Sequence, residues 1–228
     1  MAKLFRNSWW KVAGVILMVY TMVGGFLFEV PRLHILNESI RNTHFHVPMW
    51  FAMIFLMLAS VIFSIKYISS NDLKNDFYAV EFANAGILFG ILGLVTGMIW
   101  ARYTWGEAWS GDAKQNNTAI ALLIYFAYLV LRNSINDQGQ RARISSIYNI
   151  FAFAALIPLL YILPRMTGSS LHPGSGGNST FGDIDLDNRL RMVFYPAIIG
   201  WTLMGIWLTS LRIRLRLIEH TKEELDLR

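Results

Sequence analysis

Trp100, Tyr103, Trp105 and Trp109 crowd into one short stretch of this chain, with Gly106, Gly111, Asp112 and Lys114 around them. Wound as a helix, the stretch puts Trp105, Trp109 and Asp112 at i, i+4 and i+7 on one face, an aromatic shelf edged by a carboxylate. The same residues also fit an interfacial belt, since Trp and Tyr favour the headgroup level of a membrane. Two histidines stand in comparable settings elsewhere: His46 just before Val47-Pro48, and His172 just before Pro173-Gly174-Ser175. Proline is tolerated in the first turn of a helix, so His46 is expected to cap one at the membrane surface and point sideways. Two neutral imidazoles meeting over an aromatic floor suit a flat iron macrocycle, with ring nitrogens in the axial positions and indoles on its faces or edges. Arg41, Arg102, Lys114 and Arg165 then supply cations for its propionates. The plainer alternative for a lone histidine is a hydrogen-bonded cap or an interfacial residue. His34 and His44 fit that description better, and His220, in a charged tail, is expected to be solvated.

The elements that must carry these residues are membrane spans. The chain is 54% hydrophobic and only 15% charged, with a mean hydropathy of +0.41, which is outside the usual range of soluble domains. A net charge of +5 raises the question of nucleic acid, but the basic residues flank apolar runs and form no groove-sized stripe. Cysteine is absent, which excludes disulfides, thiolate metal sites and covalent haem attachment, so bound iron must rely on histidine and carboxylate.

Six apolar segments approach the length needed to cross the hydrocarbon core: Ser8 to Phe28, Val47 to Ile68, Phe82 to Trp100, Thr118 to Leu131, Ile144 to Leu163, and Met192 to Leu211. The expected fold is all-α, a single polytopic unit over residues 1–228 with six transmembrane helices. The first run lacks a small-residue cleavage site and is expected to be retained. The fourth is short and leaves open a start inside the Trp-rich loop. Most Lys and Arg residues fall on the side of the termini, so both termini are expected in the cytoplasm. Outer connections then cover about 29–46, 100–117 and 164–191. His46, His172 and the Trp-rich loop share the outer side by span parity alone. The run Arg212, Arg214, Arg216 reads as a stop-transfer anchor, and Asp183, Asp185 and Asp187 read as a solvated edge lacking the other features of a calcium loop.

Common enzyme signatures are missing: no Gly-x-Ser-x-Gly elbow, no phosphate-binding Gly-x-x-x-x-Gly-Lys and no His-Glu-x-x-His. Ionisable residues within the spans are almost absent, with Glu81 and Lys66 near ends, which counts against a transporter with a charged midplane site.

The segment Trp105-Gly106-Glu107-Ala108-Trp109-Ser110-Gly111-Asp112-Ala113-Lys114, with Phe45-His46-Val47-Pro48 and His172-Pro173-Gly174-Ser175, resembles the CcmC-type haem delivery and export proteins of bacterial cytochrome c maturation. These belong to the cytochrome c assembly proteins with a Trp-rich loop, and the likeness covers essentially the whole chain. Trp105, Gly106, Trp109, Asp112 and Lys114 match the family's loop pattern. Gly111 stands where the family usually has tryptophan and Ala108 where a second aromatic is common, so the shelf is thinner. The resemblance implies haem b held by His46 and His172, with Trp105, Gly106, Trp109, Asp112, Lys114, Arg41 and Arg102 around it. It implies a multi-pass protein of the bacterial inner membrane, a periplasmic haem chaperone as recipient, ATP-binding-cassette exporter subunits as partners, and no bond-making chemistry of its own. The alternatives are the haem lyase of the related cytochrome c route, which usually has more spans and further histidines within the membrane, and a scaffold that binds only protein.

Overall fold

The computed structural model describes residues 8–32, 36–167, 170–172 and 186–226; the side chains of Glu223 and Glu224 are not included. His34, Pro173, Gly174, Ser175, Asp183 and Asp185 lie outside the described residues. All regular structure among the described residues is helical: α1 (Trp9–Leu27), a 3₁₀ turn (Asn37–Asn42), α2 (Thr43–Ser70), α3 (Leu73–Trp105), α4 (Ala113–Ser134), α5 (Gln138–Ile157), a π segment (Pro158–Ile162), the short α6 (Leu163–Met166), and α7 (Asn188–Asp226). Among the described residues, five stretches are long and apolar enough to cross a membrane: α1, the 3₁₀ turn with α2, α3, α5 through α6, and most of α7. Helix α4 has the length but begins Ala-Lys-Gln-Asn-Asn and ends near Arg132, so its ends are polar.

Helices α3, α4, α5 and α7 start ahead of their apolar stretches because aspartates cap them. Asp72, Asp112, Asp137 and Asp187 each accept a backbone N–H of the helix that follows, from Lys74, Lys114, Gln140 and Arg189 respectively. A carboxylate there satisfies an orphan donor and faces the positive end of the helix dipole. Asp187 is therefore a cap, beyond the solvated edge expected of it. Pro158 brings no N–H to the α5 ladder, and the backbone widens into the π segment at that point.

Helix α2 is central, packed on α3, α5 and α7, while α1 lies against α7 and α4 against α5. Its seam with α3 is made of matched sizes. Gly86, Gly90, Gly93 and Gly97 follow helical spacing on α3, and a Cβ at each would meet Met57, Met53, Trp50 and His46 of α2 within 2.6–2.8 Å. Small residues let two spans approach closely where lipid offers no hydrophobic drive for association. Facing outward, α1 exposes Val12, Ile16, Val19 and Phe26, as a lipid-facing helix does.

The end of the bundle opposite the Trp-rich loop is more charged than the sequence reading expected. Asp76 and Arg132 form a buried bidentate pair at 2.7 and 2.6 Å. Buried Glu81 accepts from Arg212 and Arg216 at 2.6 and 2.7 Å. Arg212 and Arg216 are thus more than anchoring charge, because they neutralise a carboxylate that lies inside the bundle. His220 is also not simply solvated, since its ring meets Phe77 edge-on at 5.0 Å.

Candidate functional site

The glycine seam fixes His46. Helix α2 starts at Thr43, so His46 lies a full turn inside the helix and does not cap it. Its ring turns onto Gly97, where any Cβ would come 2.6 Å from Cε1. Nδ1 is 2.9 Å from the Gly93 carbonyl oxygen and 3.2 Å from Thr96 Oγ1. A carbonyl only accepts, so Nδ1 carries the proton and Nε2 keeps its lone pair. Trp50 and Trp100 present edges or faces to the ring at 6.1 and 5.9 Å between centroids. Trp100 itself is held by a bond from Nε1 to Ser39 Oγ at 3.1 Å.

His44 is no interfacial residue. It is 1% exposed and its Cβ lies against α1 at Gly25, because two positions along a helix turn it away from His46.

The Trp-rich stretch is not one helix. Helix α3 ends at Trp105, Gly106 takes φ +88° and Gly111 takes φ +71°. Both values lie in the left-handed region that glycine enters without cost. Trp105, Trp109 and Asp112 therefore do not share a helical face. The turn is tied instead to the start of α4: Gln115 accepts from Ser110 N at 3.0 Å and donates to the Ala108 carbonyl at 3.2 Å, and Asn116 donates to the Gly111 carbonyl at 2.9 Å. Trp109 is left 39% exposed at the rim.

Asp112 joins this turn to the last outer connection. Its Oδ1 accepts the Lys114 N–H at 2.8 Å and lies 2.9 Å from His172 Nδ1, while Oδ2 accepts the Leu171 N–H at 2.8 Å. Burial alone would raise its pKa, but the Leu171 N–H, the His172 ring, the Ser170 hydroxyl and the Lys114 N–H outweigh that and hold it below the usual carboxylate range. The carboxylate is ionised and accepts only, so His172 also protonates at Nδ1 and leaves Nε2 open. Burial and the nearby Lys114 ammonium push the His172 pKa down to about 4, against the pull of Asp112. Trp105 meets the His172 ring edge-on at 5.0 Å.

His46 and His172 are electrostatic neighbours at one end of the bundle, and Lys114 acts on both. Lys114 is half-buried and forms no ion pair among the described residues. Its other charged neighbours are Asp112 and Arg165. Arg41 and Arg102 have other work. Arg41 donates to the Gly25 and Phe28 carbonyls at 3.1 and 2.7 Å and pairs with Glu38, closing the C-terminus of α1. Arg102 donates to the Gly106 carbonyl. Sequence reasoning missed Trp50, Gly93, Thr96 and Gly97. The spacing of Gly86, Gly90, Gly93 and Gly97 was the available signal, because it marks a close helix contact that had to lie against something large.

Fold and site together define an integral, multi-pass membrane protein with two imidazoles and several indoles gathered at one end of a helical bundle. The chain belongs to the CcmC family, Heme exporter protein C, whose profile matches residues 2–228. It is 24% identical to Heme exporter protein C of Haemophilus influenzae over 90% of this chain and 82% of that protein. It is 36% identical to cytochrome c biogenesis protein CcsA of Prochlorococcus marinus over 108 residues, 47% of this chain. It is 33% identical to CcsA of Pelargonium hortorum over 90 residues. The matched stretches span only 32% and 28% of those two CcsA proteins.

Proposed function

We propose that this protein handles haem b for cytochrome c assembly, holding it between His46 and His172 at the outer face of the bacterial inner membrane. Family membership supports haem as the cargo, because the relatives are named for haem export and cytochrome c biogenesis. One observation carries the site: two neighbouring imidazoles each have Nδ1 committed to an acceptor and Nε2 open, so that either Nε2 would be free to bind a haem iron. Bound iron supplies the Lewis acidity that the two nitrogens satisfy. Trp100 and Trp105 supply apolar ring surface, and Lys114 supplies a cation that a propionate would pair with. Exposed Trp109 and the turn around it form the surface from which a periplasmic haem chaperone would take delivery, with ATP-binding-cassette exporter subunits alongside.

The proposal has a direct test. Protein purified in detergent should show a Soret band that is lost in His46→Ala and in His172→Ala. A colourless wild-type protein that still binds its partners would instead establish the scaffold reading. Part of the chain matches CcsA at higher identity, which keeps the lyase reading in view; covalent attachment of haem to a c-type apocytochrome by the purified chain alone would establish it.

A further inference from the structure

The two imidazoles are protonated at the same nitrogen but bonded to unequal partners. His46 donates to a backbone carbonyl, a neutral acceptor on a rigid helix. His172 donates to a carboxylate that is 7% exposed. That carboxylate is saturated: Lys114 N–H and His172 Nδ1–H reach Oδ1, Leu171 N–H reaches Oδ2, and the Ser170 hydroxyl adds a further bond. Its donors come from two directions, the first turn of α4 and the outer segment 170–172. Asp112 thus caps a helix and holds down a loop with one group. Besides Asp112, the segment meets the Trp105 ring and lies in electrostatic reach of His46 and Lys114, and a bond from His172 N–H to Ser170 Oγ at 3.2 Å closes it on itself.

From this we infer that Asp112 is the positioning residue of the site: it docks segment 170–172 onto α4, fixes the His172 tautomer, and makes His172 the stronger donor of the two imidazoles. The inference rests on the haem-binding reading for its last clause only. Neutral imidazole in water favours the proton on Nε2, so a proton held on Nδ1 must be imposed by its partner. A carboxylate partner also raises the basicity of the opposite nitrogen more than a carbonyl does. His172 would accordingly be the more basic of the two nitrogens offered to bound iron.

The test uses the full chain in phospholipid nanodiscs without haem. Long-range proton–nitrogen NMR of ¹⁵N-histidine reads each tautomer, with signals assigned through His46→Gln and His172→Gln. In the wild type both residues should carry the proton on Nδ1. Asp112→Ser keeps a good helix cap but removes the carboxylate; there His172 should move to the Nε2–H form while His46 stays unchanged. Asp112→Asn, which retains one acceptor oxygen, provides a second variant should the serine protein fail to fold. On loading with haem, either variant should lose about ten- to a hundred-fold in haem affinity and shift the midpoint potential upward. Wild-type His172 protonated on Nε2, a tautomer indifferent to Asp112→Ser, or a potential indifferent to both Asp112→Ser and Asp112→Asn overturns the inference. Failure of the wild type to take up haem would refute the proposed function and leave the tautomer result to decide the positioning role by itself.

Discussion

The His46 ring rests on Gly97, and that contact sets where an imidazole can be on this face of the bundle. A Cβ at Gly97 would lie 2.6 Å from Cε1, and the ring has nowhere to retreat without leaving the Gly93 carbonyl. Gly97→Ala should therefore break that hydrogen bond, at a cost of about 0.5–1.5 kcal/mol, and swing Nε2 out of place. Haem titration should show a weakened Soret band in a protein that still folds, and full-strength binding would contradict the seam's positioning role.

Acid should release the outer segment. His172 has its pKa lowered from 6.5 to about 4, so below pH 6.5 the unfolded or undocked state takes up a proton that the docked state resists. Docking is then fully present above about pH 6.5 and is lost as pH falls towards 4; Asp112, with its pKa also lowered, acts in the same direction at still lower pH. Trp105 lies beside the His172 ring and reports the event, because release of the segment opens the indole to water. The Trp105-dependent part of the emission, defined by difference from Trp105→Phe, should fall with a midpoint near 4 in the haem-free protein. A midpoint at the ordinary histidine value would mean that His172 is not held as described.

The charged end of the bundle should matter for stability alone. Asp76→Ala leaves Arg132 buried without its bidentate partner, a change that costs about 3–5 kcal/mol. Asp76 and Trp105 are separated by nearly the whole of α3, roughly 40 Å of helix rise. The variant should melt earlier in detergent while each folded molecule keeps the wild-type haem spectrum. An altered spectrum at unchanged stability would show coupling between the two ends.

Much of the architecture was legible as apolar runs, because a bilayer demands a minimum length of uncharged helix and leaves few other solutions. The centres of all six expected segments fall inside helices, while four of the starts ran short because Asp72, Asp112, Asp137 and Asp187 cap helices that begin in polar sequence carrying no hydropathy signal. His46 and His172 stood out by their settings, yet the role of Asp112 did not, since its partners lie 59 and 60 positions away. The shelf expected from Trp105, Trp109 and Asp112 assumed continuous helix, and Gly106 breaks it. At Gly111 the departure from the family pattern has a backbone reason in this chain: φ is +71°, a conformation that costs other residues about 1–2 kcal/mol.

Lys114 and Arg41 are both cations on the proposed haem side, and the structure gives them different standing. Arg41 spends its guanidinium on two carbonyls at the end of α1 and on Glu38. Lys114 is half-buried between His46, His172 and Arg165 in electrostatic reach, with no ion pair among the described residues. A half-buried ammonium in that position favours an incoming anion, since binding one offsets the burial it already suffers. Lys114→Ala should therefore weaken haem binding, and should weaken a porphyrin dimethyl ester, which lacks free propionates, far less. Arg41→Ala should lower thermal stability by loosening the end of α1 and leave the preference for free propionates intact. Titrating both variants with haem and with its dimethyl ester separates the two roles: an ester preference that shifts in Arg41→Ala and not in Lys114→Ala would reverse the assignment.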